Sequence, residues 1–382
     1  MIFGEFSCHA AEGLVLAHTM KLAGTTLKKG RVLGAEELGL LRRAGVTKVL
    51  GARLEDDDVG EDAAAAAIAA RLVGAGTHIE AHAAYTGRCN LHATEAGVFR
   101  VDAACIDALN FVDEAVTVGT LAPFTPVRKG QVVATVKVIP FAVPRRLIEA
   151  CRATAAGEAP LRVAAFRPQR AALIMSERAG MRERVFTATA EVTHERLAAL
   201  GSRLELVLRC AHEQAAIGAM MGRALDAGCD LLLVSGASVA KDRHDIAPAA
   251  VTAAGGVIEH FGMPVEPGNM LVLARIGDVP VIILPGCGRS RRTNGLDWVL
   301  QRLLSGTGVT RRDIMGMGVG GLIRSPLEPE DDIDDMPSPP TAVPETTPPA
   351  APVMRRGAEG DGGAAAFSFL RAAPSAMLET EQ

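Results

Sequence analysis

Along this chain apolar positions change their spacing three times, and each change marks a region. Residues 1–76 mix short strands with helices; "GAEELGLLRRAGVTKVL" (34–50) carries apolar residues at helical spacing, stops at Gly45 and continues as a strand. From 77 to 150 the pattern is mostly alternating, as in "YTGRCNLHATEAGVFRVD" and "QVVATVKVIPFAV", and Thr86-Gly87 and Ala96-Gly97 mark reversals, so this region is expected to be β-rich. "RATAAGEAPLR" (152–162) is short, small and polar, which suits a linker. From 163 to 323 short apolar runs ("VAAFRPQRAALIMS", "LELVLRC", "DLLLVS", "GVIEHF", "PVIILP") alternate with helices expected at 191–200, 213–227 and 247–254. That alternation is how a mostly parallel sheet covered on both faces reads in sequence, and predicts a doubly wound α/β domain. Beyond residue 324, "SPLEPEDDIDDMPSPPTAVPETTPPAAPV" joins prolines to an acidic run that cannot bury enough apolar surface to offset its ordering, so a disordered tail is expected. Its end, "AAAFSFLRAAPSAMLE", is interrupted by Pro374 and reads as a frayed terminus rather than a partner-binding helix.

Composition narrows the functions. A chain of 382 residues with 48% hydrophobic residues can form two or three ordinary domains. Forty Lys and Arg against 44 Asp and Glu leave a net charge of -4, no field for nucleic acid. The cysteines at 8, 89, 105, 151, 210, 229 and 287 show no close pairing, which points to free thiols in a reducing cytoplasm. The sequence also lacks a basic leader followed by an apolar run, and any long apolar stretch; neither export nor membrane anchoring is expected.

In such a sheet, ligands sit beyond the carboxyl ends of the strands. Three loops qualify. In "DLLLVSGASVAKDRHDIAPAA" (230–250) the small residues Ser235, Gly236, Ala237 and Ser238 let a ligand approach backbone amides. Asp245 stands at a helix N-cap with Pro248 in the first turn, a place that favours an anion, and Lys241, Arg243 and His244 lie nearby. In "MPVEPGNML" (263–271), Pro267-Gly268 fits a type II turn in a hairpin connection. In "VIILPGCGRSRRTNGLDWVLQRLL" (281–304), Pro285, Gly286 and Gly288 lead past Ser290 into Arg289, Arg291 and Arg292, whose guanidinium forks suit phosphate oxygens. Against these readings stands an ordinary strand-turn-helix connection with Asp245 as a cap and solvated charges. His78, His82 and His92 are poor metal candidates in a turn-rich β context. Cys287 reads as loop packing before a reactive thiol, and Trp298 as core.

These residues carry a resemblance. "LVSGASV", Asp245 with "IAPAA" after it, Pro267-Gly268, and Leu284-Pro285-Gly286 with Ser290 are similar to the molybdopterin-binding domain of molybdopterin adenylyltransferases and MoeA-type molybdenumtransferases, over residues 164–322. "LKKGRVLGAEELGLLRRAGVTKV" resembles the segment leading into that domain in the molybdenumtransferases. "EHFGMPVEPGNML", "LPGCGRSRRTNGLDWVLQRLL" and "DIMGMGVGGL" look most like the molybdopterin-binding module often fused ahead of a cytidylyltransferase; no Gly-rich nucleotide loop follows residue 322 here.

The resemblance implies a role in molybdenum cofactor biosynthesis. Molybdopterin or its adenylylated form would bind along the loops, Lys241, Arg289 and Arg291 would clamp its phosphate, Mg²⁺ held by carboxylates would neutralise the phosphates during cleavage or transfer, and molybdate would replace copper or protons on the dithiolene. It also implies a homodimer, and a cytidylyltransferase or molybdoenzyme as the recipient. The chain departs from the family pattern at several positions. Gly236-Ala237 stands where two glycines are usual, Ala240 where a glycine is common, and Asn269 where Lys is frequent. His212 occupies the position of a first catalytic carboxylate, and an imidazole cannot replace a carboxylate on hard Mg²⁺. For the second, counting back from the helix selects Asp245 and counting forward from the strand selects Asp242; Asp245 is preferred because "IAPAA" aligns without a gap. The departures favour a second reading, a non-catalytic carrier that hands the pterin to a separate cytidylyltransferase.

Overall fold

Continuous burial along residues 171–176, on both faces, marks this segment as an interior strand of the largest sheet. The computed structural model describes residues 1–323; the expected tail and its terminal helix lie outside the described residues. The sheet has six strands: β1 (Arg170–Glu177), β2 (Arg203–Ala211), β3 (Leu231–Ser235), β4 (Val257–Phe261), β5 (Val272–Ile276) and β6 (Val279–Ile283). Their spatial order is β2-β1-β3-β6-β5-β4. The pairings β1/β2, β1/β3 and β3/β6 are parallel, whereas β5 runs antiparallel to both β6 and β4.

Strand periodicity then divides the core. Ala171, Leu173 and Met175 of β1 pack with Phe186 and Leu197 of α1 (Glu183–Ala199) and with Leu296, Val299 and Leu300 of α4 (Gly295–Leu304). Ala172 and Ile174 point the other way, to Ile217 and Met221 of α2 (Gln214–Asp226) and Ala250 and Val251 of α3 (Ile246–Ala253). Helices therefore lie on both faces. From β1 the chain goes through α1 to β2 on one side, while β3 lies on the other side of β1, so strand order reverses between β1 and β3. A crevice at the carboxyl ends of such strands is where ligands settle in open α/β sheets.

The N-terminal half is built from smaller sheets. Ile2–Ser7, Lys48–Arg53 and Val15–Leu16 form one, covered by the Ala35–Arg43 helix, which ends before Gly45 at φ 75°. A four-stranded antiparallel sheet with the order Val116–Thr120, Val132–Val138, Arg88–Ala93, Ile79–Ala81 packs on the Glu61–Leu72 helix. Of the segment expected to be a linker, 152–162, only residues 155–160 are irregular. Residues Arg145–Thr154 are helical, and Leu161–Ala165 is a strand paired with Gly97–Val101, where Leu161 and Val163 are buried. Its apolar residues sit at alternate positions, so pairing outweighs the small polar stretch before it. The run 163–176 accordingly contains two strands in two sheets.

Candidate functional site

The buried strand β3 ends at Ser235, and the loop beyond it turns on Gly236, where a Cβ would lie 2.6 Å from the carbonyl oxygen of Ser238. The bend admits only glycine without moving that backbone. The following amides have different fates. That of Ala237 donates to Ser176 Oγ at the end of β1 (3.1 Å), and that of Lys241 to Asp245 Oδ2 (3.2 Å). Those of Ser238, Val239 and Ala240 have no protein acceptor among the described residues. Consecutive unpaired amides in a turn make a cradle for an anion.

Beneath this cradle is a relay that sequence reading did not find as such. Ser176 Oγ lies 2.8 Å from His212 Nδ1, and His212 Nε2 lies 3.1 Å from Ser238 Oγ. Ser176 is 1% exposed and already accepts the Ala237 amide, so its own proton has one acceptor in reach, Nδ1. This assigns the neutral tautomer with the proton on Nε2, which donates to Ser238 Oγ and leaves the Ser238 O–H to donate outward. Burial of His212, assisted by the Arg178 cation and opposed by Asp245, holds the imidazole below its ordinary pKa and agrees with the neutral form.

The third loop reaches the first. Arg289 Nη2 donates to the Gly236 carbonyl at 3.0 Å, and a Cβ on Gly286 would sit 3.5 Å from Val239. Burial disfavours the Arg289 charge, which an anion at this place would offset. Arg291 turns elsewhere: its guanidinium holds both oxygens of Glu195 at 2.9 Å on α1. Ser290 Oγ accepts the amide of Arg292 (3.2 Å).

The loop's shape is held from below by Arg196 on α1. Its guanidinium donates to the carbonyls of Gly288 (2.7 Å), Ser290 and Arg292, and to Asp297 Oδ1 (2.8 Å). Asn294, 1% exposed, caps α4 and donates to the carbonyls of Cys287 and Arg292. Burial pushes the Cys287 thiol up to about 11, so it stays protonated at neutral pH. Trp298 is partly buried against the core of that face.

Pro267 and Gly268 are brought to the same end of the sheet but face α4. The Pro267 carbonyl accepts the Gly295 amide (2.9 Å), and a Cβ on Gly268 would lie 2.6 Å from Gly295 N. The turn is not of type II, since Gly268 has φ 135°, beyond the region near +80° that this type requires.

The carboxylates were the metal candidates. Asp245 caps α3: one oxygen accepts the Ile246 amide (2.8 Å), the other that of Lys241. Asp242 is exposed, and its Oδ1 accepts both the amide and Nδ1 of His244, each at 2.8 Å, contacts that lower its pKa. With both nitrogens of His212 also engaged, this donor set does not fit a Mg²⁺ ion as arranged. Among the described residues no three His, Cys, Asp or Glu converge to hold a metal. His82 and His92 stack ring on ring at 3.7 Å instead of converging. All seven cysteines are free, and among the described residues no helix is long and apolar enough to cross a membrane.

No protein-family model matches this chain, and no curated protein matches it. It is similar to solved structures of molybdopterin biosynthesis proteins. The MoeA protein from Pyrococcus horikosii is 10% identical, with 83% of this chain and 76% of that one covered and a TM-score of 0.26. The Mog protein from Mycobacterium ulcerans is 17% identical, with 35% and 94% covered and a TM-score of 0.27. A molybdopterin biosynthesis protein from Mycobacterium abscessus is 17% identical, with 38% and 99% covered and a TM-score of 0.25.

Proposed function

We propose that this chain binds molybdopterin by its phosphate at the carboxyl end of the six-stranded sheet and serves in molybdenum cofactor biosynthesis. The observation that supports the reading is the approach of two loops: the amides of Ser238, Val239 and Ala240, without an acceptor among the described residues, and the Ser238 hydroxyl lie on the loop whose Gly236 carbonyl accepts from the buried guanidinium of Arg289. Phosphate is the group that such donors recognise. The kind of phosphate comes from the sequence resemblance over residues 164–322.

Two roles use this cradle. One is insertion of molybdate into adenylylated molybdopterin with Mg²⁺; the other is a carrier that delivers the pterin to a cytidylyltransferase. The engaged carboxylates of Asp242 and Asp245 and the imidazole of His212 favour the carrier, which needs the loops and no metal. Lys241, exposed beside the cradle, adds charge to either.

Titration of the purified chain with molybdopterin tests the proposal. Saturable binding is expected, weakened about tenfold or more in both Ser238→Ala and Arg289→Ala, the loss of a charge-assisted contact. Binding that ignores both substitutions sinks the reading. Release of AMP from adenylylated molybdopterin in the presence of Mg²⁺ and molybdate would replace the carrier role with insertion.

A further inference from the structure

Away from the sheet edge, a cleft of about 810 Å³ opens in the N-terminal half, lined among others by Phe3, Lys28, Lys29, Tyr85, Lys137 and Phe141. Two independent features set it apart. The first is apolar surface left in water: Phe3 is 54%, Tyr85 77% and Ile139, also on its wall, 58% exposed. The Phe3 and Phe141 rings are near parallel, 14° between planes with centroids 6.5 Å apart. Gathered exposed aromatic surface marks a binding place.

The second feature is charge. Lys29 Nζ lies over the Phe141 ring, 5.5 Å from its centroid, and neither Lys28 nor Lys29 is ion-paired among the described residues. The turn that carries them is held by bonds from the Lys29 amide to Thr19 Oγ1 (3.1 Å), from the Gly30 amide to the Leu16 carbonyl (2.8 Å), and from the Arg31 amide to the Lys28 carbonyl (3.2 Å). Both ammoniums are therefore presented from a fixed backbone. Lys137 donates to the Thr86 carbonyl and lies 3.8 Å from Glu61, the one carboxylate on the wall. Three ammoniums against one carboxylate leave a cationic cleft with aromatic faces.

We infer that this cleft binds a small planar anion, a phosphorylated heteroaromatic of the nucleotide class, with its ring against Phe141 and its phosphate at Lys28 and Lys29. The volume lies in the range of small-molecule sites. Aromatic faces recognise a planar ring, and paired ammoniums recognise phosphate oxygens. The inference rests on the cleft alone and does not need the pterin reading.

Fluorescence anisotropy with N-methylanthraniloyl-AMP on the full chain tests it. Saturable binding is expected, weakened about tenfold or more by the Lys28→Ala/Lys29→Ala pair, whose exposed side chains leave the melting temperature in place. Phe141→Ala is expected to weaken it as well, and the probe lacking phosphate to bind less tightly. No saturation up to about 1 mM, a range weaker than about -4 kcal/mol, overturns the inference. So does binding unchanged in the lysine pair but lost in the Ser238→Ala/Arg289→Ala pair, which puts the nucleotide on the sheet-edge loops. A concentration-dependent dimer in sedimentation, split by Phe3→Asp and indifferent to the probe, would make the cleft a contact between copies and overturn it too.

Discussion

His212 shows how one side chain takes its chemistry from its neighbours. In sequence it is one polar residue ahead of a helix; in the fold both ring nitrogens are occupied, by Ser176 and Ser238, and it orients a hydroxyl. A buried neutral histidine links stability to pH. Because its folded pKa lies below the ordinary 6.5, the unfolded chain takes up the proton first as pH falls, so the stability due to neutral His212 is present above about 6.5 and is lost as pH drops towards the folded value. The difference in melting temperature between the native chain and His212→Gln should therefore shrink as pH is lowered from about 8 to about 5.5. A flat difference speaks against the neutral relay. His260 titrates in the same direction, through burial and the nearby Arg311 and Arg243, and is common to both proteins. Sequence located the small-residue loop beside His212 because glycine and serine after an apolar run are a local signal. The relay was invisible, since Ser176 and Ser238 stand on either side of His212 in sequence and meet it only across the sheet.

Helix α1 sets the geometry of a loop about ninety residues away in the chain. The arginines of "GRSRR" look alike in sequence, but Arg289 reaches the Gly236 carbonyl, Arg291 engages Glu195, and the residue that shapes their loop is Arg196. Its side chain is 9% exposed and satisfies three carbonyls and one carboxylate. Removing it strands those acceptors, so Arg196→Ala should cost about 3–5 kcal/mol in urea unfolding and weaken pterin binding. Arg196→Lys should recover only part, because an ammonium cannot reproduce a planar fork directed at several acceptors. A loss under about 1 kcal/mol would remove Arg196 from this role. Helical periodicity announced the helix but not its full extent, and gave no sign of which polar residue on it would be buried.

The chain's halves are joined through residues that looked like a linker. Leu161–Ala165 completes an N-terminal sheet, and immediately afterwards the Phe166 amide donates to the Ala96 carbonyl and the Arg167 amide to that of Leu304 at the end of α4. Arg302 of α4 stacks on Phe124, 3.6 Å from the ring centroid. The last strand of the N-terminal sheets therefore ends at residue 165. A fragment of residues 1–165 should melt cooperatively, whereas residues 1–160, deprived of buried Leu161 and Val163, should lose several kcal/mol, on the order of one or two large core truncations. Equal melting of the two fragments would show that the strand is dispensable.

Hydrophobic spacing and turn residues were enough to anticipate the alternation of strands and helices in the C-terminal half, its mostly parallel sheet and the loops after its strands, because each is encoded within about ten neighbouring residues; the run 163–176, two strands in two sheets, is the exception. The same local signals missed the strand that begins at Leu161, which depends on a partner some sixty positions earlier. Only the tertiary structure decided that Ser176, His212 and Ser238 form one relay, that Arg196 supports the loop of Arg289, that Asp245 spends its oxygens on backbone amides, and that lysines and aromatics from the first 141 residues share a cleft. Those arrangements depend on which surfaces pack together. A polar side chain carries the same local pattern whether its partner is water, a buried carbonyl or a ligand.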